Sequence, residues 1–216
     1  MKDYTLRVLV FLTSILIASA AMATEEPKYV LLEKSEPFEL RAYAPLIVAE
    51  VKVDGDLDAA SAQGFRLIAA YIFGKNQLAE KITMTAPVGI ESGDQNKSAK
   101  IAMTAPVKIE GGKPLEAAGN QWTVSFVMPA EYTLASLPKP LNPQINIREV
   151  PAEKRAVIIF SGFYNEEKVQ EKTQALREWM KTKNLKPAGE PQFARYNPPW
   201  TLPFMRRNEI MIQVLD

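Results

Sequence analysis

The chain has 216 residues with 26 basic and 25 acidic side chains, and it contains neither cysteine nor histidine. The absence of both excludes disulfides, Ser/His/Asp or Cys/His catalysis, and zinc sites built on imidazole or thiolate. The near-neutral charge, with no basic run, argues against a nucleic acid partner, which needs a surplus of Lys and Arg.

Residues 1–23 have the pattern of a secretory signal peptide. A short positive region is followed by an uncharged, mostly apolar run over 8–20 and by the small-residue sequence "AMA" at 21–23. About thirteen residues fall short of the twenty or so that span a bilayer, which argues against a retained anchor. We therefore expect cleavage after Ala23 and a periplasmic or secreted protein without stable membrane insertion. The mature chain, 24–216, has the length of a single domain.

Two segments resemble each other at an offset of 107 residues. "FELRAY" at 38–43 aligns with "INIREV" at 145–150, and each is followed by a second strand, a Gly turn and a helix. The coincidence of Arg, Gly and helix cap at one offset indicates an internal duplication. The two halves cover about 29–136 and 144–216.

The helix of the second half carries complete start and stop signals. Asn165 is its predicted N-cap, acidic residues follow in the first turn, and apolar residues repeat at helical spacing along one face. Asn184 and Pro187 end it. The pattern predicts a surface helix packed on a sheet.

The helix of the first half, from its predicted N-cap Asp58 to Phe73, is apolar on two faces. Its second apolar face consists of Ala62, Phe65, Ala69 and Phe73. A helix apolar on most sides is either fully buried or covered on its second side. Two interpretations remain open: the four residues are ordinary core, or their alternation of bulky and small side chains forms a slot for a planar ring.

An octapeptide occurs twice after this helix, as "KITMTAPV" at 81–88 and "KIAMTAPV" at 100–107. Strand alternation would place Ile, Met, Ala and Val of each copy on one face. We interpret the copies as two strands that each break near their proline, because proline lacks the amide a ladder needs. Met84 and Met103 are then either core residues or soft ligands for iron, since thioethers fill both roles. "WTVSFVMP" at 122–129 predicts a third strand.

The C-terminal region places a proline-rich loop, 197–204, between two strands. We expect it to form a fixed flap in which Trp200 and Phe204 are packing residues. Arg206, Arg207 and Glu209 follow. Such a run is either an active-site charge cluster or, as is more common, a strand end with a structural ion pair.

Five motifs in order, "KIAMTAPV", "FVMP", "LPKPLNP", "FSGF" and "YNPPW…RRNEI", resemble the SOUL haem-binding protein family, and the match runs from about Tyr29 to Val214. The resemblance implies an α+β fold in which two pseudo-symmetric strand/helix repeats form a distorted antiparallel β-barrel, with two main helices packed on the sheet. It also implies binding of a tetrapyrrole in an apolar groove beside the first helix.

The resemblance, together with the residue patterns above, gives an expected cofactor and site. The cofactor is non-covalent, b-type haem or free porphyrin, held without a His axial ligand, and the binding residues are Ala62, Phe65, Arg66, Ala69, Phe73, Met84 and Met103. The haem propionates need cations at the groove rim. The candidates are Arg66, Lys81, Lys100, Arg206 and Arg207.

We therefore expect a monomeric, non-enzymatic tetrapyrrole-binding protein with no catalytic residues and no metal centre of its own. Two alternatives remain. One is an envelope protein that binds other small hydrophobic ligands. The other is a carboxylate-based hydrolase that uses the same groove with Glu80, Glu131 or Glu209 as its base.

Overall fold

A computed structural model of the chain describes residues 24–78, 98–111 and 121–215. Its two helices are α1, Leu57–Ile72, and α2, Glu166–Thr182. A 3₁₀ turn covers Pro203–Met205. The strands are β1 Tyr29–Ser35, β2 Phe38–Tyr43, β3 Leu46–Asp54, β4 Asn76–Gln77, β5 Val107–Gly111, β6 Gln121–Val127, β7 Lys139–Pro140, β8 Asn146–Val150, β9 Glu153–Phe160, β10 Gln192–Arg195 and β11 Asn208–Val214.

Several predictions lie outside the described residues. These are the signal peptide at 1–23 and the first octapeptide copy at 81–88, with Lys81 and Met84, and also Glu80. They stay predictions.

In the described ranges, nine strands form one antiparallel sheet in the order β1-β2-β9-β11-β10-β5-β6-β3-β8, and β4 pairs with β7 apart from it. The prediction of an α+β fold with two helices on a large antiparallel sheet is confirmed. The sheet is open, because β1 and β8 are its end strands and do not pair with each other among the described residues. The predicted barrel is therefore not confirmed.

The strand order has a regular arrangement about the central pair of β5 and β10. Moving outward, one side reads β5, β6, β3, β8 and the other reads β10, β11, β9, β2. Helix α1 contacts β3 and β6, while α2 contacts β9 and β11. Strands β2 and β8 each pair across the halves, β2 with β9 and β8 with β3. The two helices thus occupy equivalent places on the two halves of the sheet, on the same face.

The helix caps match the sequence pattern in one case and differ in the other. Asn165 caps α2 as predicted, accepting a hydrogen bond from the Lys168 amide at 2.8 Å. Helix α1 is capped by Asp56, which accepts from the Ala59 amide at 2.7 Å, so the prediction of Asp58 is wrong. The reason is Leu57: its side chain is buried in the first turn, so the helix begins at Leu57, before Asp58.

Helix α1 lies unusually close to the sheet at Gly64. An ideal Cβ built on Gly64 would stand 2.5 Å from Cβ and Cγ2 of Val124 in β6. Gly64 therefore allows backbone-to-side-chain contact that no other residue would permit without movement. This contact orients one face of α1 toward the main core, where Ile68, Tyr71 and Ile72 are buried in the same cluster as Val124.

The second octapeptide copy is not the predicted strand. Within 100–107 only Thr104 forms an isolated bridge, to Glu25, and β5 begins at Val107. Ile101 and Ala105 are buried but Met103 is 37% exposed, so the predicted common face does not exist. The Ile101 amide instead donates to the Ile72 carbonyl at 2.8 Å, which holds this segment against the end of α1.

The Gly64 contact makes a stability prediction. We expect Gly64→Ala to lower the free energy of unfolding by about 1–3 kcal/mol, because the added methyl overpacks Val124 despite its better helix propensity. Chemical denaturation measures this. The control is Gly189→Ala, whose Cβ would meet its nearest neighbour at 3.8 Å.

The double variant Gly64→Ala/Val124→Ala should then be less destabilised than the sum of the two single variants, because the shortened side chain leaves room for the new methyl. Equal costs for Gly64→Ala and Gly189→Ala, or simple additivity in the double variant, would contradict the close contact.

Candidate functional site

The outer face of α1 carries aromatic side chains that the protein leaves in solvent. Phe65 is 37% exposed and Phe73 is 56% exposed, while Ala69 between them is 8% exposed. The three residues follow each other at intervals of four, so they lie in one line along the helix. Ala62 and Arg66 on the same side are exposed. Four of the predicted binding residues thus lie on α1, and the fifth, Phe73, is the C-cap residue that follows it. Ala69 is the buried member between the two aromatic positions.

Phe65 is fixed from below by the sheet. Its ring centroid lies 5.5 Å from that of Phe126 in β6, at an interplanar angle of 52°. Phe126 itself is buried. One face of the Phe65 ring is therefore supported by the core while the rest of the ring stays accessible, an arrangement suited to contact with an apolar ligand.

The C-terminal end of α1 is tied to the segment that contains Met103. The buried Asn76 side chain donates to the carbonyls of Tyr71 at 2.7 Å and Ala99 at 2.8 Å, and it accepts from the Ala99 amide at 3.0 Å. Gly74 turns the chain here with φ of 116°, a value that favours glycine. Residues 98–101 are thereby held beside the end of the helix.

Two lysines belong to this end of α1. Lys75 follows Gly74, and Lys100 follows the clamped Ala99; both are exposed. Neither they nor Arg66 has a side-chain hydrogen bond or ion pair with another residue of the described ranges. Lys100 was expected from sequence. Lys75 was not, because its segment is joined to that of Lys100 only by the hydrogen bonds between Asn76 and Ala99.

Arg206 and Arg207 are already engaged. Arg206 donates to the carbonyls of Thr201 at 2.8 Å and Pro199 at 2.6 Å, which braces the proline-rich loop. Arg207 pairs with Glu209 at 2.8 Å and with Glu26 at 3.0 Å. Arg206 thus stabilises the loop and Arg207 the start of β11. Of the two interpretations of Arg206, Arg207 and Glu209, the structure contains the structural ion pair, between Arg207 and Glu209.

The loop itself differs from expectation. Trp200 is 84% exposed and Phe204 is 74% exposed, so the prediction that they are packing residues is wrong. The carbonyl of Pro203 instead accepts from the Gly162 amide at 2.9 Å, which joins the loop to the turn after β9. Hydrogen bonds from this backbone contact and from the Arg206 guanidinium, rather than aromatic packing, hold the loop.

A buried ion network lies on the sheet face opposite the helices, and sequence reasoning missed it. Arg41 of β2 reaches across β9 to Glu209 of β11, with contacts of 3.0 and 3.1 Å, and its Nε donates to Glu39 at 2.7 Å. Tyr196 donates to Glu209 at 2.7 Å. Burial, together with the Glu209 charge, raises the pKa of Tyr196. The Glu209 carboxylate also raises the pKa of Arg41 although burial opposes its charge.

This network decides against Glu209 as a general base. Both of its oxygens accept from guanidinium groups or the Tyr196 hydroxyl, and the side chain is fully buried. A general base needs an oxygen within reach of substrate. Glu131 is exposed and forms no hydrogen bond or ion pair with another residue of the described ranges. Glu80 lies outside the described residues.

Lys108 of β5 lies on the same sheet face, where it pairs with Ala194 of β10 and Ser125 of β6. It is buried and has no hydrogen bond or ion pair to another described residue. Burial, reinforced by Arg155, lowers the pKa of Lys108 to about 7, although Glu153, Glu209 and Glu110 act in the opposite direction. The folded protein therefore binds this proton more weakly than the unfolded chain.

Lys108 makes a pH prediction. Between about pH 7 and the ordinary lysine range, the unfolded chain holds the proton that the folded chain loses, so Lys108 penalises folding less as pH rises. Lys108→Met should be more stable than wild type at pH 7, and the difference should shrink by up to about 1.4 kcal/mol per unit toward pH 9. Denaturation at three pH values measures it, with the exposed Lys52→Met as control. A stability difference that stays constant over this range would contradict the buried, weakly basic amine.

Among the described residues, no helix combines the length and apolar character needed to cross a membrane.

Comparison with known proteins gives the family. The sequence profile described as "SOUL heme-binding protein" matches residues 24–97 and 91–213. The chain belongs to this family. Heme-binding protein 2 of Homo sapiens is 29% identical over 165 residues, which make up 73% of this chain and 70% of that protein. Membership associates the chain with binding of haem or a related tetrapyrrole.

Solved structures show the same fold at low sequence identity. The EcmrR C-terminal domain has a TM-score of 0.55 and 12% identity, covering 87% of this chain and 98% of that one. An uncharacterized conserved protein from Listeria innocua has a TM-score of 0.52 and 10% identity, covering 90% of this chain and 94% of that one. At these identities the likeness concerns the fold alone.

Proposed function

We propose that the protein binds haem or a related tetrapyrrole without covalent attachment, on the outer face of α1, and that it is not an enzyme. The observation that carries this proposal is the line Phe65–Ala69–Phe73, in which two accessible rings flank a small, buried residue. With a rise of 1.5 Å per residue, the two aromatic positions are roughly 12 Å apart along the helix. A planar apolar ligand can lie across Ala69 between them.

The affinity would come from burial of apolar surface. Each 100 Å² of apolar surface removed from water contributes about 2.5 kcal/mol before the costs of association. Phe65 is braced on Phe126, so part of its ordering cost is met before the ligand arrives. Iron coordination is therefore not required for binding, which fits a chain without histidine.

Unpaired cations support an anionic tetrapyrrole. Arg66 belongs to the same face of α1, and Lys75 and Lys100 belong to its C-terminal end. We assign the propionates to these three side chains rather than to Arg206 and Arg207, which are engaged elsewhere. Met103, half-exposed on the neighbouring segment, is the described residue that could place a thioether near the ring.

Several parts of the proposal rest on sequence. Export after cleavage at Ala23, a monomeric state, and Met84 and Lys81 at the groove are predictions from residues outside the described ranges or from composition. The internal duplication is a prediction supported by the arrangement of strands about β5 and β10.

Parallel titrations with haemin and metal-free protoporphyrin test the proposal. We expect both to bind the purified mature protein with affinities within about tenfold of each other, because apolar contact dominates. Ala62→Trp, at an exposed position of the face, should weaken both by at least about tenfold, and Phe65→Ser/Phe73→Ser should do the same. Gln174→Trp, on the exposed side of α2, is the matched control.

If both α1 variants bind the two compounds as wild type does, the ligand binds elsewhere on the protein. If neither compound binds, a different hydrophobic ligand is favoured. Haemin binding without protoporphyrin binding would show that iron ligation dominates. In that case Met103→Leu should shift the haem absorption bands, whereas binding by apolar contact alone gives no shift.

A further inference from the structure

A cavity of about 610 Å³ opens at a place that the tetrapyrrole site does not use. Its walls are the lead-in segment 25–28, the turn between β2 and β3 at Ala44 and Pro45, the segment 127–135 that follows β6, and Glu149 of β8. None of its lining residues belongs to α1. Small-molecule sites have volumes of roughly 300–1,000 Å³, so the cavity is large enough for a ligand of its own.

The lining is mainly apolar. The residues from the sheet and the following loop include Leu46, Ile47, Val127, Met128 and Leu134. Tyr132 adds an aromatic ring that is partly buried against the main core. The segment is firmly held, since the Met128 amide donates to the Ile47 carbonyl at 2.8 Å. These walls favour an apolar ligand over a strongly hydrated one.

The charged groups of the cavity are mostly acidic. Three carboxylates, Glu25, Glu26 and Glu149, line it against a single cation, Lys28. Glu25 accepts from the Ala130 amide at 2.9 Å, and Glu26 pairs with Arg207 at 3.0 Å. Both of these carboxylates hold the lead-in segment in place.

Glu149 differs from the other two. It lies opposite Ile47 in the pairing of β3 and β8, and it has no hydrogen bond or ion pair with any residue in the described ranges. Lys28 likewise has no hydrogen bond or ion pair within the described ranges, and Glu25 is bonded only to a backbone amide. With Glu26 paired to Arg207, the two remaining carboxylates outnumber Lys28, so the cavity has a net negative charge beside an apolar wall and an aromatic ring. An ammonium or similar cation is attracted to both a carboxylate and a ring face.

We infer that this cavity is a second ligand site, which accepts a lipophilic organic cation. The apolar walls bury the body of the ligand, while Glu149 and the Tyr132 ring attract its positive charge. The expected selectivity is for cationic over neutral and anionic molecules of the same size. This inference does not depend on tetrapyrrole binding at α1.

Three fluorescent dyes test the charge selectivity: rhodamine 6G is cationic, Nile red is neutral, and 1-anilinonaphthalene-8-sulfonate is anionic. We expect rhodamine 6G to bind the wild-type protein, measured by fluorescence anisotropy. Glu149→Gln should weaken that binding about tenfold and leave Nile red binding unchanged. Glu190→Gln, at an exposed carboxylate elsewhere, is the matched control.

Two blocking variants identify the site. Ala135→Trp fills the exposed edge of the cavity and should abolish rhodamine 6G binding, whereas Ala62→Trp on α1 should not affect it. The inference is overturned if the wild type does not bind the cation, if the anionic dye binds equally well, or if Glu149→Gln and Ala135→Trp change nothing. It is also overturned if Ala62→Trp alone removes binding. Haemin titration of Ala135→Trp, expected to match wild type, separates this result from the fate of the α1 site.

Discussion

The contact between Gly64 of α1 and Val124 of β6 fixes the surface on which the proposed function rests. Because a single Cβ at this position would stand 2.5 Å from Val124, the helix backbone lies directly on the sheet. A helix pressed so closely has one rotational setting. It buries Ile68, Tyr71 and Ile72, and it turns Phe65 and Phe73 outward. The accessible rings are thus a consequence of packing on the opposite side of the same helix.

The two faces of the sheet are stabilised by different interactions. The face toward α1 and α2 holds the main apolar core, and the other face holds the ion network centred on Arg41 and Glu209. That network joins β2 to β11, residues 168 positions apart, across the intervening β9. Breaking one partner of such a pair is costly because the other charge stays buried. Charged side chains therefore organise the face of the sheet without helices, and both proposed ligand sites lie outside this network.

The elements that could be predicted from the sequence are those whose start, periodicity and end are all encoded in one continuous segment. Helix α2 has its cap, periodicity and stop within one segment, and the two apolar faces of α1 were visible as a pattern. The octapeptide at 100–107 was misread because its alternation says nothing of the hydrogen bond from Ile101 to the end of α1. The placement of Lys75 near the 98–101 segment and the ion pairs of Arg41 could not be predicted either, since each depends on residues distant in sequence that only folding brings together.

The most direct test of the account is paramagnetic broadening of backbone amide signals by bound haemin, recorded by NMR on the labelled mature protein. Haemin iron on the outer face of α1 should broaden the amides around Ala62 to Phe73, and those of residues 98–103, while the amides around Gln174 in α2 stay sharp. Broadening centred on α2, or on the loop that carries Trp200 with α1 unaffected, would contradict the central claim.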